Sequence, residues 1–454
     1  MKICIIGGGA AGMLAAIAAS KNKENIVTIL EKNEKLGKKL YISGKGRCNL
    51  TNNCDKEDFF KNVIRNGRFL YSSFAIFSND DLQKLVTSAG CPLKVERGNR
   101  VFPVSDKSSD VIKALTKVLK DSGVDIRYNE NVKSIKKCED DKFSIETSDN
   151  TYTSDRVIIA TGGKSYPLTG STGDGYKFAK NFSIKVTNQY PSLVPFDVKE
   201  ITDVVDMEGL SLKNVSIKIY DKNDSKKVLY NDFGEMLFTH FGVSGPIILS
   251  ASSFIDAEKT KFNSSKIKLS IDLKPALTHE KLDDRLIREF SDNNNKKIKS
   301  IMESLLPKSM LNVFIRRLDD KLGAINKSVG DVKASEIDKI SRKEIVNMLK
   351  DFEFTIVGTR GFDEAVVTRG GVDVKEINPK TMESKKISGL YFAGEVLDID
   401  ALTGGFNIQI AATTGFAAGF YSNSWQKYIM WYNIITFPVV YDKILYTYTA
   451  GFEY

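Results

Sequence analysis

The chain has 454 residues, of which 42% are hydrophobic and 27% charged, with a formal net charge of +9. That length exceeds one simple domain and predicts two or three. The lysines are spread rather than blocked, which predicts a solvated surface, and no specific nucleic-acid partner is expected.

Residues 2–6 read as a short apolar strand, followed by Gly7-Gly8-Gly9-Ala10-Ala11-Gly12 and an alanine-rich helical run to Ser20. This is G-x-G-x-x-G between a strand and a helix, the context in which it binds a dinucleotide. Gly7 permits the tight turn, Gly9 leaves the phosphate unobstructed, and Gly12 lets helix and strand pack closely. The N–H groups of the helix start at Ala10 and Ala11 face the pyrophosphate. A signal peptide would continue its apolar run where these glycines stand, so the segment reads as a βα unit.

Residues 26–30 read as a second strand ending at Glu31, 19 residues beyond Gly12. A carboxylate there accepts from a ribose 2′-OH and repels a 2′-phosphate, which argues against NADP in this site. FAD and NAD stay open at this point.

A loop rich in Gly, Lys and Asn covers 32–53. Residues 59–90 look helical, and 108–122 has a clear helical period. Strands are predicted at 125–127 and 132–135, with a hairpin over 143–146 and 151–153. Residues 156–160 form a buried-type strand running into Ala160-Thr161-Gly162, a second place for backbone to approach a dinucleotide. Short alternating strands fill 191–273, and lysine-rich amphipathic helices fill 274–351. Alternation returns at 352–356 and 364–368. A strand at 390–392 then leads to Gly394 and Glu395, followed by Gly404-Gly405-Phe406-Asn407-Ile408 and a small-residue helix to Gly419. The dinucleotide domain is therefore expected in two pieces, 1–190 and 352–420, around a β-rich insertion (191–273) and a helical subdomain (274–351). Residues 421–454 hold 11 aromatics, including Trp425 and Trp431. This tail is read as a surface or oligomer contact or a non-native end.

The five cysteines (Cys4, Cys48, Cys54, Cys91, Cys138) show no metal-ligand spacing, and only His240 and His279 offer imidazoles, so no metal site is expected. A reducing cytoplasm fits. No run of about 18 apolar residues is present, so no membrane span is expected.

Six segments together resemble the BaiN-type (YhiN-like) flavoproteins, a family that includes aminoacetone oxidase-like enzymes. They are GGGAAG, SGKGRCNLTN, ATGG, FTHFGVSGP, TRGGV and AGEVLDIDALTGGFNIQIAATTG, and the likeness covers about residues 1–420. The resemblance implies FAD in the first site. It also implies an α/β fold of the two-dinucleotide-binding-domain, glutathione-reductase type, with an inserted β-barrel-like domain and a small helical subdomain. Family activities include reduction of conjugated double bonds in 3-oxo bile-acid intermediates and aminoacetone oxidation, so the substrate is not carried over.

With the resemblance, Glu31 and Lys32 are placed at the adenosine end, and Val132 meets adenine through its backbone. Gly44, Arg47, Cys48 and Asn49 are placed beside pyrophosphate and flavin, with Arg47 neutralising charge. Gly394 and Glu395 approach the ribityl region. The helix start at Gly404, Gly405, Asn407 and Ile408 offers N–H groups and a positive dipole to the flavin ring. Cys48 reads as a structural thiol, since C-x5-C with Cys54 is not a redox spacing. His240 is the candidate catalytic proton donor, against a structural histidine.

The resulting expectation is a soluble FAD-dependent oxidoreductase exchanging hydride between flavin N5 and a small-molecule substrate. NAD(P)H is expected as a transient donor, since no second G-x-G-x-x-G is present. The alternatives are an amine or aminoketone oxidase using O2, and a non-catalytic or RNA-associated flavin protein. The oligomeric state stays open.

Overall fold

The isoleucine-rich strand Lys2–Ile6 sits in the middle of a five-stranded parallel sheet. Arg156–Ile159 pairs on one side and Ile26–Glu31 on the other, with Leu390–Phe392 and Asp125–Tyr128 at the edges. Strands covered on both faces read as continuous apolar runs, as all of these do except the exposed edge strand Asp125–Tyr128. The computed structural model describes residues 1–222, 224–255, 267–323 and 327–423. The register aligns the carboxyl ends: Ile6 lies opposite Leu30 and Ile159, and Ile159 opposite Phe392. Gly7, Glu31, Ala160 and Ala393 therefore emerge along one edge of the sheet, where open α/β sheets bind ligands. Both glycine-acid segments belong to this one sheet.

Helix Ala10–Ala19 packs against helix Phe406–Tyr421 through small residues. A Cβ on Gly415 would lie 2.2 Å from Ala11 O, and one on Gly419 2.0 Å from Ala15 O. The Gly394 N–H donates to Thr414 Oγ1 at 2.9 Å, which ties this C-terminal helix to the strand end. Val132–Lys137, Phe143–Thr147 and Thr151–Ser154 form an antiparallel meander that includes the expected hairpin.

The helical stretch read at 59–90 is broken into Lys56–Lys61, Gly67–Leu70, Tyr71–Ile76 and Asn79–Ser88. The causes are local. Asn66 takes a left-handed φ of 56°, and Ser78 starts a new helix with a capping box to Asp81.

The β-rich segment closes into a six-stranded barrel. Its order is Phe196–Val198, Gly242–Ser244, Asp224–Thr239, Ser211–Asp221, Ile267–Asp272 and Phe352–Thr359. Phe352–Thr359, which the sequence reading placed in the dinucleotide domain, is the closing stave, paired with Ile267–Asp272 and Phe196–Val198. Alternation marks a strand without saying which sheet it joins. The helices His279–Asp292, Ile298–Met302, Lys308–Leu322 and Lys339–Lys350 share one apolar core with the barrel. Phe314 stacks on Phe352 at 6.2 Å, and the Arg317 guanidinium lies 4.4 Å from the rings of both Phe352 and Phe354. Tyr190–Ser192 and Val367–Arg369 pair antiparallel where the chain passes between the two units.

Among the described residues no helix is long and apolar enough to cross a membrane, and no His/Cys/Asp/Glu group is placed to hold a metal. The last helix ends at Tyr421 with Ser422 as its C-cap, and Asn423 follows; the aromatic tail beyond them lies outside the described residues.

Candidate functional site

At the first strand end, Gly7 has a φ of 102°, and a Cβ there would sit 2.6 Å from Ala160 O. Gly12 is a packing position outside the cavity wall, since its Cβ would lie 1.8 Å from Gly7 O. Gly9 differs: a Cβ there would meet nothing within 4 Å. The turn thus leaves an open cradle beneath the first-turn N–H groups of helix Ala10–Ala19, which lack intrahelical acceptors.

Glu31 is fixed at the rim of the cradle. Its Oε2 accepts from Gly8 N–H at 2.7 Å, and its Oε1 from Asn33 N–H and Nδ2 at 2.8 and 2.6 Å. Lys32 turns to the loop opposite, donating to Thr172 Oγ1 at 2.6 Å and Asp174 Oδ2 at 2.9 Å. Burial opposes charge on Asp174, but the Thr172 hydroxyl and Lys32 ammonium outweigh it and hold the carboxyl down at about 2.

From this cradle a cavity of about 720 Å³ runs along the sheet edge to the start of helix Phe406–Tyr421. Glu31, Lys32 and Val132 line one end; Ala160, Thr161, Gly162, Gly394 and Glu395 line the middle. Glu395 is the hub there. Its Oε1 accepts from Ser165 Oγ at 2.7 Å and Thr368 N–H at 2.8 Å, and its Oε2 from Lys39 Nζ at 2.7 Å. Sequence reasoning passed over Lys39, because nothing local separates it from the neighbouring Lys35 and Lys38.

The loop after helix Lys38–Ile42 is coiled tightly, with φ of 58°, 59°, 83° and 60° at Gly44, Lys45, Gly46 and Cys48. Gly44, Lys45 and Asn49 line the cavity. With its amide turned so that the oxygen faces Gly405, Asn49 accepts from Gly405 N–H at 3.1 Å and donates to Thr51 O at 3.2 Å, tying the loop to the C-terminal helix start. Arg47 and Cys48 require correction, since neither lines the cavity. Arg47 donates to Asp106 from Nε at 2.8 Å and from Nη2 at 2.6 Å, bonds Glu96, and stacks 4.2 Å over Phe102. Its charge is spent on two carboxylates rather than facing a phosphate. Cys48 is in the core, where burial pushes its thiol up to about 12. His240 also stands away from the cavity wall. It caps an exposed barrel turn, with Nδ1 3.3 Å from Glu208 and its ring edge-on to Phe241. The turn between two staves carries the imidazole outward to an exposed position.

At the far end Gly404 and Gly405 take φ of 124° and 97°, and a Cβ on Gly405 would lie 2.4 Å from Thr51 O. Asn407 is a loop brace: its Oδ1 accepts from Ala401 N–H at 3.0 Å and its Nδ2 donates to Ala401 O at 2.8 Å. Ile408 lines the wall beside it. Here the cavity turns apolar, walled by Leu193, Leu249, Val366, Val367, Ile399 and Leu402. These come from both units of the fold, which is why no sequence motif announced them. Behind this wall Asp398 and Asp400 are buried, and burial pushes both carboxyls up despite Arg65 nearby.

The residues fit FAD. An open cradle sits at a helix N-terminus, an anchored carboxylate stands at the adenosine end, and an elongated cavity runs to a second helix N-terminus.

Residues 1–421 match the family described as "HI0933-like protein Rossmann domain". The chain is 30% identical over 416 residues to a Haemophilus influenzae protein named ribosomal RNA dihydrouridine synthase, covering 91% of this chain and 96% of that one. It is also 30% identical over 427 residues to the 3-dehydro-bile acid delta(4,6)-reductase of Clostridium scindens, covering 92% and 98%. Among solved structures, a 3-ketosteroid-delta4-(5alpha)-dehydrogenase from Rhodococcus jostii aligns with a TM-score of 0.45 at 13% identity, covering 92% of this chain and 96% of that one. The chain belongs to the HI0933-like Rossmann-domain family and is a flavin-dependent oxidoreductase.

Proposed function

We propose that this protein is an FAD-dependent reductase of carbon–carbon double bonds conjugated to a carbonyl group. One observation carries the reading: an apolar compartment adjoins the N-terminus of helix Phe406–Tyr421, at the opposite end of the cavity from the dinucleotide cradle. FAD held in this cavity would supply the chemistry of hydride transfer from NAD(P)H to the substrate's β-carbon. The α-carbon then gains a proton, so substrate, NAD(P)H and H⁺ give the saturated product and NAD(P)⁺.

The chain's own residues have three tasks in this reading. The Gly9 cradle and Glu31 hold the adenosine and pyrophosphate end. The Lys39–Glu395–Ser165 network holds the linker. The helix start at Gly405 stabilises negative charge on a reduced ring, and Leu193, Leu249, Val367 and Leu402 hold a flat apolar group dry against it. The two relatives support the reaction class, because each is named for removing such a double bond: in a uracil ring for one and in a 3-oxo steroid skeleton for the other.

A second reading concerns the substrate's carrier. Two relatives, from Haemophilus influenzae and Escherichia coli, are named for ribosomal RNA. Those names favour a uracil carried on RNA, against the expectation drawn from the dispersed lysines. The cysteines, none of them in a disulfide, suit a reducing cytoplasm.

The test is turnover by the FAD-loaded protein of a 4-ene-3-keto steroid and of unmodified ribosomal RNA, with NADH and NADPH supplied separately. Product carrying two added hydrogens supports the reading and selects the carrier. Hydrogen peroxide formed from aminoacetone, with neither compound saturated, refutes it in favour of an oxidase.

A further inference from the structure

Asp400 is fully buried beside the apolar end of the cavity, yet it has no part in the flavin cradle. It stands between Ile399 and Leu402, which line the wall. Its backbone is held by the loop after helix Lys56–Lys61: the Ile64 and Arg65 N–H groups donate to Asp400 O at 3.0 and 3.3 Å. Its side chain reaches the other unit of the fold. Oδ2 accepts from Ser192 Oγ at 3.1 Å, and Ser192 Oγ lies 2.9 Å from Ser253 Oγ on helix Pro246–Phe254. Arg65 Nε is 3.3 Å from the other oxygen, outside hydrogen-bond alignment.

Leu193 follows Ser192 and lines the cavity, with a left-handed φ of 52°. A branched residue does not hold that conformation unless its surroundings impose it. Here both neighbours are pinned. Ser192 is bonded to Asp400, and the Val194 N–H donates to Ser252 Oγ at 2.9 Å. Leu193 O also accepts from Val366 N–H at 3.2 Å. Strained backbone at a cavity wall, over-determined by buried polar partners, marks a position that the fold maintains for use.

We infer that Leu193 is a specificity-determining residue that shapes the apolar end of the cavity, and that Asp400 is the positioning residue that holds it there through Ser192. This rests on the reductase reading for what the wall contacts, but not for the holding itself. A conjugated ring system would lie against Leu193, with its fit set by how firmly the 192–194 segment is pinned.

The test uses three full-length, FAD-loaded variants: Asp400→Ala, Asp400→Asn and Leu193→Gly. Loss of one buried hydrogen bond corresponds to about tenfold in an opening equilibrium. Asp400→Ala should speed amide hydrogen exchange in the 190–196 segment by about that factor, with FAD affinity unchanged within about twofold. Asp400→Asn retains an oxygen for Ser192 and should restore slow exchange. With the 4-ene-3-keto steroid or RNA, whichever the wild type turns over, Asp400→Ala and Leu193→Gly should raise KM about tenfold with little change in kcat. Asp400→Asn should stay near wild type. Unchanged exchange in Asp400→Ala overturns the positioning role. Faster exchange with unchanged KM overturns the specificity role. A wild type that binds FAD but reduces neither compound defeats the reductase reading instead, and the exchange experiment still decides whether Asp400 holds the segment.

Discussion

Gly9 and Gly12 stand three residues apart in one turn, and a methyl group at each has opposite consequences. Gly9 has φ −78° and ψ −171°, which any residue adopts, and an added Cβ meets nothing within 4 Å. Gly9→Ala should therefore leave the unliganded fold intact, or stabilise it by about 0.4–1 kcal/mol by restricting the unfolded chain. The methyl group occupies the cradle, however, and displaces a phosphate oxygen from the helix N–H groups. One charge-assisted hydrogen bond is worth about 1.5–3 kcal/mol, so FAD should bind roughly 10- to 150-fold more weakly. Gly12→Ala places its Cβ 1.8 Å from Gly7 O, a backbone atom, so the turn itself must shift. Overpacking of this kind costs about 1–3 kcal/mol or more of stability before any ligand is added. Flavin fluorescence titration and thermal unfolding of the apoprotein measure the two quantities separately. Wild-type FAD affinity in Gly9→Ala, or equal loss of stability in both variants, refutes the assignment of the cradle.

Three further outcomes follow from the same geometry. Arg47→Lys should keep FAD affinity within about threefold by titration, whereas a bidentate phosphate contact would cost tenfold or more. Lys39→Met leaves Glu395 without its cation in a partly buried network and should cost about 1–2 kcal/mol in urea unfolding, with part regained in the double variant with Glu395→Gln. Asp174, held down at about 2, contributes stability that is present above the ordinary carboxylate range. That contribution should fade as pH falls from about 4 toward about 2, and Asp174→Asn should flatten that part of the urea-midpoint profile.

The parts of the site that lie close together in sequence were legible in it. Gly7, Gly9 and Glu31 obey a spacing set by one βα unit, so their meeting at one strand end could be read from order and distance along the chain. Gly394 and Gly405 were legible because glycine is costly unless the backbone needs it, and the structure shows close crossings at both. Arg47 was misplaced because a cation in a glycine loop looks the same whether its partner is a phosphate or a carboxylate. Asp106 and Glu96 are dozens of residues away, and only the folded chain brings them to it. His240 was a candidate by chemistry alone, and side-chain direction is decided by the barrel's register. The apolar wall could not be read at all, since Leu193, Leu249 and Leu402 meet only when the insertion docks. The strand Phe352–Thr359 showed its type but not its sheet, because alternation encodes faces and not partners.

The most direct test of the account is anaerobic and stopped-flow. The FAD-loaded protein is reduced with one equivalent of NADH or NADPH and then mixed with a conjugated substrate, the 4-ene-3-keto steroid or ribosomal RNA, or with its saturated counterpart. The oxidised flavin spectrum should return with the conjugated compound, at a rate matching turnover, and not with the saturated one. Return of the spectrum only on admission of O2, with the conjugated compounds recovered unchanged, contradicts it.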